Sequence, residues 1–157
     1  MQQNLTKEYW KSIAPEEFPM RGRWVDNWFS NMVISPITIN GVVWASVENY
    51  YQSRKAKTEK EADLFLTYSP SDAKKMGRRV EIREDWDKLK ETFMLTVLVV
   101  KFNQPAWKQR LLDTEEELIV EWNNWGDKYW GVDIRSFEGQ NRLGEILMEV
   151  RKLLKKL

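Results

Sequence analysis

Cysteine and histidine are both absent from the 157 residues. Without cysteine there can be no disulfide, no thiolate-metal site and no cysteine nucleophile. Without histidine the chain lacks the commonest general base, a frequent metal ligand and every Ser-His triad, so acid and base chemistry falls to Asp, Glu, Lys or Tyr. Nor does charge of one sign prevail: 25 Lys and Arg against 24 Asp and Glu leave a net charge of +1. That is too little to draw the whole protein onto nucleic acid or an anionic membrane. No run of about 18 apolar residues occurs, and the N-terminus lacks the basic, apolar and small-residue zones of a secretion signal. The expectation is a soluble, unsecreted chain, with the cytoplasm as default location and no membrane partner.

What the chain has is 42% hydrophobic residues and nine tryptophans. At this length that suffices for one domain around one sizeable core, and neither a repeat nor a low-complexity linker divides it. So heavy a load of large rings suits either a rigid core or walls that stack on a flat ligand.

The pattern is mainly helical. Trp10 and Ile13 mark a short helix within the first fourteen residues, interrupted by Pro15. From Ile34 to Trp44, two β-branched runs flank Asn40-Gly41, the signature of a hairpin with a type I′ turn. Ser46 caps a helix from about Val47 to Lys57, and Thr58 with Glu61 forms a capping box for another reaching about Thr67. Ser69-Pro70-Ser71-Asp72 opens a further short helix that Gly77 or the following arginines end. Trp86, Leu89, Phe93, Val97 and Val100 predict a core-facing stripe on a long helix from Asp85 to Phe102, and a short helix covers Pro105 to Leu112. Leu118-Ile119-Val120 reads as a buried strand, and Trp122 to Gly131 as a loop. Leu143, Ile146, Leu147, Val150, Leu153 and Leu154 define a C-terminal helix with lysines near its end.

Three groups could carry chemistry. Glu48, Gln52 and Lys55 share one helical face by spacing, although charges at such spacing are ordinarily a solvated stripe. The stretch from Trp122 to Gly131 holds Asp127 among rings, either as an acid beside a stacked base or as a turn former with Trp125 and Trp130 closing over the core. Gly139-Gln140-Asn141-Arg142-Leu143-Gly144 is a partial anion nest or a turn that Asn141 caps, with Arg21, Arg23, Arg78 and Arg79 as candidate phosphate partners.

Taken in order, these pieces resemble the YbiA-like, or NADAR (NAD and ADP-ribose associated), family. Its pattern runs from Phe-Ser-Asn-Phe through Ser-x-Glu-His to a closing Gly-x-Asn-x-Leu-Gly. The chain offers Phe29-Ser30-Asn31-Met32, Ser46-Val47-Glu48-Asn49, Tyr51-Gln52, Lys55, Ser69-Pro70, Ala73-Lys74-Lys75-Met76-Gly77-Arg78, Asp85-Trp86, Lys101-Phe102, Asp127-Lys128-Tyr129-Trp130-Gly131 and Gly139 to Gly144 at matching spacing. The resemblance covers about residues 20 to 155. Asn49 stands where the family usually has histidine, and Met32 where it has an aromatic.

The resemblance implies a single-domain, multi-helical YbiA-like fold with a small β-hairpin and short strands. It also implies an N-glycosidase acting on phosphorylated ribosyl compounds, either riboflavin-pathway ribosylamino-pyrimidine intermediates or ADP-ribosylated guanine, with ADP-ribosylated nucleic acid as a further partner. No cofactor and no metal are expected. Carried over position by position, the family's catalytic residues fall on Glu48, Asp127 and Trp86. Asn31, Lys55, Arg78, Trp130, Gly139 and Asn141 match other motif positions that line a substrate pocket. Two other readings stand beside this one: a non-catalytic module that binds ADP-ribose or NAD, for which Asn49 argues, and a helical interaction domain whose tryptophans are all core.

Overall fold

The computed structural model describes residues 5–18 and 28–157. Arg21 and Arg23 lie outside the described residues. Among the described residues seven α-helices and five short strands follow one another: α1 (Lys7–Ile13), β1 (Ile37–Ile39), β2 (Val42–Trp44), α2 (Val47–Ser53), α3 (Glu59–Asp63), α4 (Pro70–Gly77), α5 (Trp86–Phe102), α6 (Pro105–Leu112), β3 (Trp122–Asn123), β4 (Val132–Asp133), β5 (Glu138–Gly139) and α7 (Arg142–Leu154). A 3-10 turn over Leu64–Leu66 continues α3. The mainly helical architecture with a small hairpin and short strands is the one expected from the sequence.

Local chemistry sets most boundaries. Asn40 and Gly41 take positive φ angles of 51° and 78°, which closes β1 onto β2 with Ile37 opposite Trp44. The Ser46, Thr58 and Ser69 hydroxyls accept hydrogen bonds from the amides of Asn49, Glu61 and Asp72, so α2, α3 and α4 each start at the capping residue the sequence names. Helix α2 stops at Ser53, earlier than the expected Lys57. The Lys55 and Ala56 amides turn back to the Gln52 and Ser53 carbonyls, and Ala56 bridges to Ile82.

Two apolar clusters hold the molecule together. The larger joins Ile37, Trp44, Val47, Phe65, Val97, Leu98, Phe102 and the inner face of α7. Burying each such aliphatic or aromatic side chain stabilises by roughly 1.5–3 kcal/mol. On α7, Leu143, Ile146, Leu147, Val150 and Leu154 are buried as predicted, whereas Leu153 is exposed. On α5 the buried face centres on Met94, Val97, Leu98, Lys101 and Phe102, with Leu89, Phe93 and Val100 only half-buried. This rotation of the predicted stripe follows from α5 packing against α2, α6, α7 and β1 at once. The smaller cluster seats Trp10 of α1 on Trp122 and Val132.

Residues 118–120 are not a strand. Leu118 is exposed, and the Asn141 side chain takes the place of a strand partner: its Nδ2 donates to the Ile119 carbonyl at 2.9 Å and its Oδ1 accepts from the Glu121 amide at 2.9 Å. The ladder begins two residues later, as β3 pairs in parallel with β4 and β4 pairs antiparallel with β5.

Candidate active site

A cavity of about 630 Å³ opens between α2, α4, the stretch Ser30–Met32, and the segment from Glu121 to Trp130. That size suits a nucleotide-sized ligand. Its wall includes Asn31, Glu48, Lys55, Arg78, Asp127 and Trp130, six of the nine expected site residues. Glu48 and Asp127, far apart in sequence, thus share one cavity.

Glu48 sits in the first turn of α2 and is only 7% exposed. Its amide donates to the Asn31 carbonyl at 3.0 Å, which fastens the Ser30–Met32 edge of the cavity to the helix. Its Oε1 accepts from Gln52 Nε2, one turn on, at 2.7 Å. The solvated-stripe reading therefore fails, because this polar face of α2 points inward. Burial raises the Glu48 carboxyl above its ordinary 4.5, while the Gln52 hydrogen bond and the charges of Lys74, Lys55 and Arg78 act the other way. A carboxylate so placed suits a general base. Lys55 lies 5.8 Å from the ring centres of both Tyr51 and Trp86.

Helix α4 supplies the opposite wall. Ser71, Lys74, Lys75 and Arg78 recur at three-, four- and seven-residue spacing, so one face of the helix presents three cations to the cavity. Gly77 lets α4 come this close: a Cβ there would lie 1.8 Å from Gln52 Oε1. Gly77→Ala is therefore expected to displace the Gln52 amide from Glu48. The expected outcome is a stability loss of about 1–3 kcal/mol, read by urea unfolding, together with reduced turnover. An unchanged unfolding midpoint counts against this packing role.

Asp127 serves as both turn former and wall. Its Oδ1 accepts from the Tyr129 and Trp130 amides at 3.0 and 2.9 Å, and its own amide donates to Asn123 Oδ1 at 2.9 Å. Among the described residues Oδ2 takes no hydrogen bond. Trp130 stands edge-on to Tyr51, and Trp125, 42% exposed, lies under Lys74 with the ammonium 5.4 Å from its ring. The tryptophans thus divide: Trp10, Trp44, Trp86 and Trp122 are core, while Trp125 and Trp130 line the cavity. This disposes of the reading in which all are core.

Trp86, Gly139 and Asn141 are not part of the wall. Trp86 backs Tyr51, with ring centroids 5.1 Å apart. The Gly139 carbonyl accepts from the Trp10 indole at 2.9 Å, and a Cβ at Gly139 would collide with the Gly131 carbonyl. The turn before α7 is no anion nest, because the amides of Gln140, Asn141, Arg142 and Leu143 donate to the carbonyls of Lys128, Gly131, Tyr129 and Trp130. Asn141 is no side-chain cap either; it takes a left-handed φ of 51°. The closing motif therefore clamps the loop that carries Asp127 and Trp130. Arg79 is exposed and outside the wall.

Asn49, in the family's histidine place, is fully buried and faces away from the cavity. It accepts from Ser46 Oγ at 2.6 Å and donates to the Phe65 and Tyr68 carbonyls at 2.9 and 2.8 Å. Asn49→Ala should cost about 1–3 kcal/mol for each carbonyl left unpaired, seen as a lowered thermal midpoint. Loss of turnover at unchanged stability would instead give this side chain a chemical role.

Sequence reasoning missed Glu121. It is 6% exposed, it lines the cavity, and among the described residues its Oε2 has no hydrogen-bond partner. Burial, then the charges of Asp127 and Glu48, push its carboxyl up to about 8, with Lys74 opposing. Asn31 Oδ1 and Gln52 Oε1, also on the wall, are likewise buried without partners. Buried polar groups left unmatched on residues of one cavity are what a polar ligand would satisfy.

A NADAR domain family model matches residues 10–155. The chain is 38% identical over 130 residues to the N-glycosidase YbiA of Escherichia coli, covering 80% of each. The solved structure of E. coli YbiA superposes with a TM-score of 0.74 at 36% identity, covering 82% of this chain and 77% of that one. An N-glycosidase of Nostoc punctiforme is 35% identical over 136 residues, covering 82% of this chain and 86% of its own. A riboflavin biosynthesis protein of Vibrio vulnificus is 31% identical over 130 residues, 80% of this chain but 35% of that protein. Fold, cavity and relatives together define a hydrolase of N-glycosyl compounds. The chain belongs to the NADAR domain family. Among the described residues no helix is long and apolar enough to cross a membrane.

Proposed function

We propose that the chain hydrolyses the C1′–N bond of a phosphorylated N-riboside, a ribosylamino-pyrimidine phosphate of the riboflavin pathway or an ADP-ribosylated guanine. The observation that carries this reading is a buried carboxylate, Glu48, that shares one cavity with the cations Lys55, Lys74, Lys75 and Arg78. Cleavage leaves positive charge on the sugar, which acids beneath the ring stabilise, and the cations match the substrate's phosphate. Glu48 takes a proton from the attacking water. Asp127 Oδ2 accepts from ribose hydroxyls, Trp125 and Trp130 flank the base, and Lys74, Lys75 and Arg78 hold phosphate. Lys55, backed by Trp86 and Tyr51, fixes the end of the sugar nearer Glu48. The riboflavin reading draws on the Vibrio vulnificus relative's name, and the guanine reading on the two rings beside the acids.

The test is a panel of ribosyl N-glycosides, with and without phosphate, incubated with the protein and read by mass spectrometry for released base. Release from phosphorylated members, absent with Glu48→Gln, supports the reading. Release from unphosphorylated ribosides at equal rates removes the phosphate assignment, and binding without release makes the domain a module.

A further inference from the structure

We propose that Glu121 is the proton donor to the departing nitrogen, the acid that completes a two-carboxyl mechanism with Glu48 as base. The inference rests on the N-riboside reading above and assigns a residue that the closing and opening family motifs leave out.

The geometry carries it. Glu121 sits at the entrance to β3, fixed from behind: its amide is held by Asn141 Oδ1, and Gly131 packs so near that a Cβ there would lie 2.3 Å from the Glu121 carbonyl. The backbone at this position is thus held in place, and the residue lines the cavity that Glu48 lines from α2 and Asp127 from the following loop. Its Oε2 is buried and bonded to nothing among the described residues. A buried carboxyl with an unmatched oxygen in a ligand cavity is stable as the neutral acid, which then has a hydrogen to donate.

Surroundings separate the two glutamates. Glu48 is flanked by the Gln52 amide and by Lys74, Lys55 and Arg78, all of which favour its anion. Glu121 is buried and faced by the carboxylates of Asp127 and Glu48, with Lys74 as the opposing cation among the described residues, and its carboxyl is pushed up to about 8. Burial raises both carboxyls. What differs is the company, cations and an amide donor beside Glu48 and carboxylates beside Glu121. That difference assigns the base to the first and the acid to the second. In the step, the C1′–N bond breaks and its electron pair goes to nitrogen, which receives the Glu121 proton. Water oxygen bonds to C1′ and gives a proton to Glu48. The proton gained by Glu48 and the one lost by Glu121 balance, and exchange with solvent resets both.

The experiment compares two phosphoribosyl substrates in the wild-type protein and in Glu121→Gln. One has an amine leaving group that needs a proton; the other is a ribosyl-pyridinium phosphate, whose pyridine departs neutral without one. The expected result is a loss of about 10²–10⁴ in kcat for the amine substrate and less than about tenfold for the pyridinium. Equal losses on both, or none on the amine, overturn the inference alone. Wild-type silence on both compounds overturns the N-riboside reading and this inference with it. Two further measurements guard against a folding artefact. In the wild type, the amine substrate's rate should fall above about pH 8 while the pyridinium's does not. A carboxyl near 4.5 unfolded and raised in the fold loses stability as pH rises between those values. The Glu121→Gln variant should therefore melt higher than wild type at pH 8, with the gap closing toward acid; equal midpoints throughout overturn the protonated state.

Discussion

Glu48→Gln is expected to lower turnover by about 10²–10⁴ while leaving the thermal midpoint at neutral pH unchanged or raised. The amide has the shape of the carboxylate, and Gln52 Nε2, now 2.7 Å from Glu48 Oε1, keeps an acceptor at that position. The helix start is untouched, because Ser46 and not residue 48 caps α2. What disappears is the base and its charge. Burial raises the Glu48 carboxyl, so the fold gives up stability as this group ionises above its unfolded value. An amide has no such cost, which fixes the sign of the stability change: zero in acid, favourable to the variant as pH rises. Kinetics and a melting series on the same preparation check both halves. Turnover within a few-fold of wild type removes Glu48 from the chemistry; a lowered midpoint shows that the carboxylate is structural.

How much of this site could be read beforehand depends on the residue. Glu48, Gln52 and Lys55 were legible as one helical face, since spacing is a local property. Whether that face meets water or a cavity is not local, and only the packing of α4 on α2 through Gly77 decides it. The α4 stripe of Ser71, Lys74, Lys75 and Arg78 was equally present as spacing, yet lysines at such intervals ordinarily point to solvent. Glu121 left no signal at all. It follows an apolar run that suggests a strand, and its position comes from the Asn141 side chain twenty residues later. Motif matching had a different blind spot: Trp86, Gly139 and Asn141 belong to the pattern, but a pattern does not distinguish a wall from the scaffold behind it. The helices and hairpin, by contrast, were legible because capping residues and the Asn-Gly turn act within a few residues. Helix α5 shows the limit. Its extent was clear, but its buried face turned because neighbours on several sides cover it.

Asp127 answers to a pair of substitutions with opposite signatures. Its Oδ1 holds the Tyr129 and Trp130 amides, a structural duty that an asparagine oxygen can perform equally. Its charge and its Oδ2 are what an asparagine lacks. If Asp127 steadies the ribosyl cation and its hydroxyls, Asp127→Asn should keep the fold within measurement of wild type and reduce kcat by about 10²–10³, the scale of one electrostatic contact made at the transition state. Asp127→Ala removes both duties. It frees two amides, loosens the loop that α7 clamps through the Lys128 to Gly131 carbonyls, and should cost on the order of 1–3 kcal/mol in addition to the same catalytic loss. Urea unfolding and initial rates for the two variants separate the effects. If the asparagine variant turns over normally while the alanine variant is merely less stable, Asp127 is a turn former and nothing more, and the positive charge on the sugar is then met by Glu48 from α2 alone.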